Sequence, residues 1–163
     1  MAALGILAAI WTAATPAPAR AEEPQFLTLG AGAFDINGND GAALLSLEYI
    51  DKRQWLWKLR PMTGFFATQQ ASLYGYAGLA LDVYFGRRFV LTPSFAPGLY
   101  MENGGKKLGS MIEFRSSIKA AYRLDDRSRL GVELFHISNA GIGSRNPGAN
   151  ELLVFYSIPF SGN

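Results

Sequence analysis

Three residues near the C-terminus have side chains of the types that serine hydrolases use. His136 is the only histidine in the 163 residues, Ser138 lies two positions later, and Glu151 follows a loop rich in Gly, Asn and Pro. In serine hydrolases a histidine accepts the proton of the serine hydroxyl, and a carboxylate orients that histidine. The stretch 134–151 is therefore the candidate reactive region. Whether its side chains can act together depends on the elements that carry them.

The composition excludes several other kinds of chemistry. The chain has the length of one domain, which is enough to bury a core. No cysteine is present, which excludes disulfides, thiol nucleophiles and cysteine metal sites, and a single histidine excludes a histidine-rich zinc site. Lys and Arg number 15 against 13 Asp and Glu, and no basic run exceeds two residues. This balance does not support a nucleic-acid-binding surface.

The first 21 residues have the features of a secretory signal peptide. Leu4–Trp11 is a short apolar core, and Ala19-Arg20-Ala21 fits the small-residue cleavage pattern. No Lys or Arg precedes the apolar core, which departs from the usual pattern of such peptides. A membrane-spanning helix would need ~20 apolar residues, and this segment is too short to supply them. We predict cleavage before Glu22, which leaves residues 22–163 as the exported domain.

Beyond residue 21, apolar and polar residues alternate with a period of two. Leu45, Leu47 and Tyr49 alternate with Ser46 and Glu48, as in a β-strand with one apolar face. The same pattern recurs to the end of the chain and indicates eight strands. The predicted strands lie near residues 25–35, 42–50, 55–67, 71–85, 88–101, 109–123, 128–139 and 150–160.

The lengths of these strands and the residues on their polar faces favour a membrane barrel. Most of the strands reach the ~9 to 11 residues that a tilted transmembrane strand requires. Aromatic residues cluster near strand ends, where they would form interfacial girdles. The polar faces also carry charges of both signs, as expected if paired charges fill the interior of an eight-stranded barrel. These charged residues are Glu48, Lys58, Arg60, Asp82, Glu113, Arg115, Lys119 and Glu133.

The connections between the strands give an independent indication. With the N-terminus in the periplasm, the periplasmic connections are 51–54, 86–87 and 124–127, and all are short. The external connections 36–41, 101–108 and 140–149 are longer, and only 68–70 is brief. This asymmetry is typical of outer-membrane barrels. We therefore predict an all-β fold, an eight-stranded antiparallel transmembrane β-barrel, with a soluble lipocalin-like barrel as the alternative.

The predicted topology places the reactive stretch at the external face of the barrel. The seventh strand runs outward, so His136 and Ser138 would lie near the outer-leaflet headgroups. They continue the apolar series Leu130, Val132 and Leu134, and are therefore predicted to face lipid. Polar residues at strand ends are also common interfacial residues without a catalytic role. Against that interpretation, polar groups among lipid-facing positions usually have a function.

The last thirty residues resemble a known family. Residues 135–141 (FHISNAG), 146–148 (NPG) and 151–160 (ELLVFYSIPF) are similar to the C-terminal signature of the lipid A 3-O-deacylases. Members of that family are eight-stranded outer-membrane barrels of Gram-negative bacteria. The resemblance implies an active site on the outer barrel surface, built from a His-x-Ser-Asn motif and a later glutamate. By position it implies His136 as the base, Ser138 as the nucleophile and Glu151 as the residue that orients His136.

The same resemblance implies an oxyanion hole and a substrate. Asn139 would contribute its side-chain amide, and the backbone N–H groups around Ala140 and Gly141 are further candidate donors. The substrate would be lipid A in the outer leaflet, hydrolysed at the ester of the 3-position acyl chain, with release of a 3-hydroxy fatty acid. No metal or cofactor would be required. The expected partners are lipid A or lipopolysaccharide and outer-membrane lipids, with a homodimer left open.

Two geometric details bear on this predicted site. Side chains two residues apart on one face of a strand lie ~6 to 7 Å apart, so contact between His136 and Ser138 needs side-chain reach or an irregular strand. Alternation backward from Leu152 turns Glu151 inward, away from His136. A bulge at residues 149–150 would be needed to reorient it.

A non-catalytic outer-membrane barrel is the alternative function. Such a protein would act in adhesion or envelope integrity, with the function carried by its external loops. The short external loops predicted here argue against that interpretation.

Overall fold

The chain folds as an antiparallel β-barrel in this computed structural model, which describes residues 23–160. The predicted signal peptide, residues 1–21, lies outside the described residues. Within residues 23–160, nine strand segments and one short 3-10 helix follow each other. They are β1 Gln25–Phe34, β2 Ala42–Ile50, the 3-10 helix Leu56–Lys58, β3 Arg60–Thr68, β4 Leu73–Ala80, β5 Val83–Phe85, β6 Phe89–Met101, β7 Ile112–Arg123, β8 Arg129–Ser138 and β9 Ala149–Phe160.

The strands pair antiparallel with their neighbours, and the sheet closes on itself. β1 pairs with β9, and β4 pairs with β6, so the described strands form a ring. β4 and β5 both pair with β6 and together form one barrel strand, interrupted at residues 81–82. The ring therefore has eight strand positions. This confirms the predicted eight-stranded antiparallel barrel.

The third strand begins later than the sequence pattern predicts. Its predicted start was residue 55, but the strand starts at Arg60, because Leu56–Lys58 forms a 3-10 turn. Trp57 in this turn has a φ of 55°, which is incompatible with an extended strand. The predicted strand positions of Trp55, Trp57 and Lys58 are therefore wrong. All three side chains are exposed, so Lys58 is not one of the interior charges. The second connection accordingly spans residues 51–59 and is longer than predicted.

Charged side chains fill the barrel interior, as the polar strand faces predict. Lys119 pairs with Glu48, and Arg115 pairs with Glu133, with all four side chains buried. Removing a charge from water costs several kcal/mol in proteins unless a partner compensates, so such groups are retained inside as pairs. Further interior pairs are Arg60–Asp82 at 2.7 Å, Arg129–Asp82 at 2.9 Å and Lys106–Asp35 at 2.7 Å.

Large apolar side chains cover the outward-facing positions. A continuous apolar exterior of this kind is unusual for a protein surrounded by water and typical of a barrel surrounded by lipid. No helix within residues 23–160 is both long and apolar enough to cross a membrane. Exposed apolar residues of this exterior include Leu29, Leu45, Phe65, Phe95, Leu99, Ile118, Leu130, Val132, Leu134, Leu152, Val154 and Ile158.

An aromatic cluster closes the external half of the interior. The ring of Phe66 lies 5.3 Å from that of Tyr74 and 5.8 Å from that of Phe135, and the ring of Phe34 stacks on Tyr100. Because Phe135 packs into this cluster, the next residue of β8 must point the opposite way, toward the outside. The interior packing therefore determines the orientation of the candidate reactive stretch.

Candidate active site

His136 and Ser138 lie at the external end of β8, on the face that points away from the interior. Phe135 and Ile137 are buried, whereas Leu134 and His136 are exposed and Ser138 is half-buried. This alternation is unbroken, because β8 pairs with β7 and β9 in continuous register. The structure thus brings the candidate base and the candidate nucleophile onto one outward face.

The His136 ring is held by Asn150, which lies directly opposite on β9. Nδ1 of the ring and Oδ1 of the amide are 2.9 Å apart. An amide oxygen only accepts hydrogen bonds, so this contact requires the tautomer in which Nδ1 carries the proton and donates it. In that tautomer Nε2 keeps its lone pair and can accept a proton. Sequence reasoning missed Asn150, although the outward parity of Leu152 and Val154 extends back to it.

The far edge of the imidazole ring points toward Gly148. A Cβ atom placed on Gly148 would lie 2.8 Å from Cε1 of His136 and 3.2 Å from Nε2. Ile137 pairs with Ala149, which puts Gly148 at the level of Ser138 along the barrel. The ring is therefore tilted along the barrel, from the level of His136 toward the level of Ser138.

The Ser138 hydroxyl makes no hydrogen bond within residues 23–160, and rotation about its Cα–Cβ bond is not restrained by a partner. A second serine, Ser116, lies opposite His136 on β7, also on the outward face. Directly opposed Cβ atoms are ~4.5 to 5.5 Å apart in an antiparallel pair, so Ser116 is also close enough to His136 to be a candidate nucleophile. The His136 ring, however, binds Asn150 on the other neighbouring strand. The ring is therefore turned away from the strand that carries Ser116.

Glu151 does not lie beside His136 and Ser138. It lies opposite Phe135 in an uninterrupted stretch of β9, and its side chain is fully buried in the barrel. Neither carboxyl oxygen has a hydrogen-bond partner within residues 23–160. The prediction that Glu151 orients His136 is not supported by this geometry, because no bulge at residues 149–150 turns the carboxylate outward.

Asn139 organises the loop after β8 and does not face the reactive pair. Its Nδ2 donates to the carbonyl oxygens of Leu108 at 2.9 Å and Arg145 at 2.8 Å. Its Oδ1 accepts the N–H of Gly141 at 3.0 Å, and the whole residue is buried. Both amide protons are thus engaged within the protein. The predicted use of the Asn139 side chain as an oxyanion donor does not fit this arrangement.

The turn that follows leaves the backbone N–H of Ala140 available. Ala140 and Gly141 have φ values of 52° and 81°, and the N–H of Ile142 donates to the Asn139 carbonyl at 3.1 Å. The Gly141 N–H is already bound to Asn139, whereas the Ala140 N–H has no partner in the described part of the chain. Of the three predicted oxyanion donors, Ala140 is the one left free. A left-handed alanine costs ~1 to 2 kcal/mol, so the surrounding loop must impose this conformation.

A groove of about 500 Å³ lies beside the site, between the β6–β7 and β8–β9 loops. The Asn139 hydrogen bonds connect its two walls through Leu108 and Arg145. Lys107 and Arg145 bring positive charge to its lining, and Glu102, 3.9 Å from Nζ of Lys107, brings one negative charge, whereas Lys106 is half-buried and pairs with Asp35. Among residues 23–160, no group of three or more His, Asp or Glu side chains is placed to hold a metal ion.

Comparison with known families and proteins gives a consistent picture. The family model described as lipid A 3-O-deacylase (PagL) matches residues 42–159. A lipid A deacylase PagL of Pseudomonas aeruginosa is 36% identical over 56 residues, which are 34% of this chain and 32% of that protein. One from Bordetella bronchiseptica is 29% identical over 77 residues, which are 46% of this chain and 43% of that protein. The matched segments therefore span less than half of these curated relatives.

Two solved structures share the fold. The crystal structure of the outer membrane enzyme PagL has a TM-score of 0.66 and 18% identity, and covers 83% of this chain and 99% of that chain. A de novo designed transmembrane β-barrel has a TM-score of 0.59 and 10% identity, and covers 85% of this chain and 98% of that chain. At such identities the likeness establishes the barrel architecture alone.

Proposed function

This chain belongs to the lipid A 3-O-deacylase (PagL) family, and from this premise we propose that it is an outer-membrane esterase acting on lipid A. The reaction would hydrolyse the ester that holds the 3-position acyl chain. The observation that carries the proposal is the pair His136 and Ser138 on the lipid-facing surface, with Nδ1 of the histidine ring 2.9 Å from the Asn150 amide oxygen. The products of this hydrolysis would be a 3-hydroxy fatty acid and a lipid A with one acyl chain fewer.

In the proposed mechanism His136 acts as base and Ser138 as nucleophile. Nε2 of the ring removes the hydroxyl proton while Oγ attacks the ester carbonyl carbon. The bond from that carbon to the sugar oxygen then breaks, and His136 returns the proton to the leaving hydroxyl. A water molecule, deprotonated by the same ring, attacks the acyl-serine and releases the fatty acid. Each proton taken is given back, so the enzyme returns to its starting state.

The attack places negative charge on the carbonyl oxygen, which needs a hydrogen-bond donor. The Ala140 N–H, free and two residues from the nucleophile, is the donor that the loop supplies for it. The buried Asn139 amide supports this role by fixing the turn. We assign Ala140 to the oxyanion hole and Asn139 to the loop that presents it.

The surroundings of the pair suit a substrate that is itself a membrane lipid. Val132 and Leu134 continue the outward face below His136, where acyl chains would pack. Above it, the external groove carries Lys107 and Arg145 against one carboxylate, Glu102, and this excess of positive charge suits the phosphates of an anionic glycolipid. An ester at the boundary between chains and headgroup would then lie at the depth of Ser138.

We further propose that the protein resides in the outer membrane and reaches it after removal of the signal peptide at residues 1–21. The apolar exterior and the family membership support this location. Its partners would be lipid A or lipopolysaccharide and the surrounding outer-membrane lipids.

The proposal is tested by mass spectrometry of lipid A from a Gram-negative host that lacks such an activity. Outer membranes with the wild-type protein should contain lipid A lighter by one 3-hydroxyacyl group, and vector controls should not. His136→Ala should slow the reaction by about a thousandfold or more, because the serine loses its base.

Unchanged lipid A in membranes that hold folded wild-type barrel would contradict the proposal. That result would favour the alternative of a non-catalytic barrel. Full activity of His136→Ala would instead show that the base is wrongly assigned.

A further inference from the structure

We propose that Asn150 takes the position of the orienting carboxylate, so that the site is a Ser138–His136–Asn150 triad. This inference rests on the proposed esterase function and names a positioning residue for it. Asn150 acts through the His136 ring and does not touch the ester.

The contact follows from the strand register and not from a flexible loop. His136 and Asn150 are directly opposed on β8 and β9, and both side chains point outward. The 2.9 Å separation of Nδ1 and Oδ1 is that of a normal hydrogen bond. The Asn150 carbonyl also accepts the backbone N–H of Ile36 at 2.8 Å, which fixes the start of β9 to the β1–β2 loop. The backbone of Asn150 is therefore held by Ile36, and its side-chain amide binds the His136 ring.

Carboxylates do not occupy the neighbouring positions of this ring. Across β7 the residue opposed to His136 is Ser116, and across β9 it is Asn150, so both cross-strand neighbours are uncharged. The nearest carboxylate along β9, Glu151, is enclosed in the interior on the other face. Within residues 23–160, Asn150 is the residue that forms a hydrogen bond with the His136 ring.

An asparagine can perform one of the two tasks of an orienting carboxylate. It accepts the Nδ1 proton, which keeps the lone pair on Nε2, toward the serine. It does not supply a negative charge to stabilise the imidazolium that forms during the reaction. Cysteine proteases with a Cys-His-Asn arrangement show that orientation by an amide is compatible with turnover. The site should therefore depend on Asn150 to set the tautomer of His136. It should lack the part of catalysis that comes from a negative charge beside the imidazolium.

The single histidine of the chain makes the tautomer directly measurable. In untagged barrel with 15N-labelled histidine in detergent micelles, the imidazole signals report on His136 alone. We expect the neutral wild-type ring to be protonated on Nδ1. Asn150→Ala should move the population toward the form protonated on Nε2, while the barrel stays folded as judged by circular dichroism.

Kinetics on lipid A in micelles give the second readout. Asn150→Ala should lower kcat by about a hundredfold with little change in KM, because the ring loses its orientation and not a substrate contact. Asn150→Asp should restore most of kcat, because a carboxylate oxygen also accepts the Nδ1 proton. A residue with a merely structural role would not show this rescue together with a changed His136 tautomer in Asn150→Ala.

Glu151→Gln serves as the matched comparison, because it changes the adjacent residue on the opposite face. The proposal predicts a larger loss of kcat in Asn150→Ala than in Glu151→Gln. The reverse order, or an unchanged tautomer in Asn150→Ala, would overturn it. If the wild-type barrel itself releases no fatty acid, the proposed function fails, and the tautomer measurement still decides the role of Asn150.

Discussion

Gly148 gives the His136 ring the space that it occupies. The residue has a φ of 60°, and a Cβ atom there would approach Cε1 of the ring to 2.8 Å, below any normal contact distance. It is buried beside the ring, at the level of Ser138. A residue outside the reactive pair thus controls the direction of the ring that must reach the serine.

We predict that Gly148→Ala lowers kcat on lipid A by about 10- to 100-fold, since small misplacements of catalytic groups have effects of this size. The loss arises because the new methyl group displaces the His136 ring. Gly86→Ala is the matched control, because Gly86 also has a positive φ, 67°, but no atom within 4 Å of its Cβ position. Equal losses in the two variants would show that backbone strain, and not ring displacement, is responsible.

At this scale the sequence predicts the reactive pair but not its partner. His136 and Ser138 follow from residue type and from the parity of β8, which the structure reproduces. Asn150 could have been found from the parity of β9, but its contact depends on the register between two strands, which alternation does not specify. Glu151 has the carboxyl group expected of a residue that orients His136, but the alternation along β9 places it inside the barrel.

The β8–β9 loop is the element that presents the site. The Asn139 side chain makes three hydrogen bonds that join this loop to itself and to the β6–β7 loop. Together they impose the left-handed conformation of Ala140 that leaves its N–H available. A sequence pattern cannot show this, because the bonds connect residues that are distant along the chain.

We predict that Asn139→Ala loosens this loop without unfolding the barrel. Loss of buried hydrogen bonds, each worth ~0.5 to 1.5 kcal/mol, should speed amide hydrogen exchange at Gly141 and trypsin cleavage after Arg145. The rate of lipid A deacylation should fall as the β8–β9 loop becomes less ordered. The control is Asn103→Ala, which removes one exposed hydrogen bond, to the Ala71 carbonyl, from another external loop. Faster exchange throughout the strands would contradict a role confined to the loop.

The strands themselves were largely predictable. Alternation indicates eight strands, and the barrel has eight positions, because the period of two follows directly from strand geometry. The start of β3 and the interruption between β4 and β5 were missed. Both depend on local backbone conformation, such as the positive φ of Trp57, that an apolar pattern does not record. The family predicted from residues 135–160 is confirmed by the match over residues 42–159.

The whole molecule is a barrel with its polar residues inside and its apolar residues outside. Interior ion pairs and aromatic rings fix one face of every strand, so the other face is left for lipid. The reactive pair lies on that lipid-facing side, at the external end. A water-soluble ester would not be concentrated there, whereas a glycolipid of the outer leaflet would be. The position of the candidate site therefore favours a membrane lipid as the proposed substrate.

The most direct test of the account compares two serines that flank the same histidine. Purified Ser138→Ala and Ser116→Ala barrels are incubated with lipid A in detergent micelles, and the released 3-hydroxy fatty acid is quantified by mass spectrometry. We predict that Ser138→Ala loses about a thousandfold or more of the wild-type rate, because it removes the nucleophile, and that Ser116→Ala stays within about threefold of it. Retained activity in Ser138→Ala, or its loss in Ser116→Ala alone, would contradict the assignment of the site.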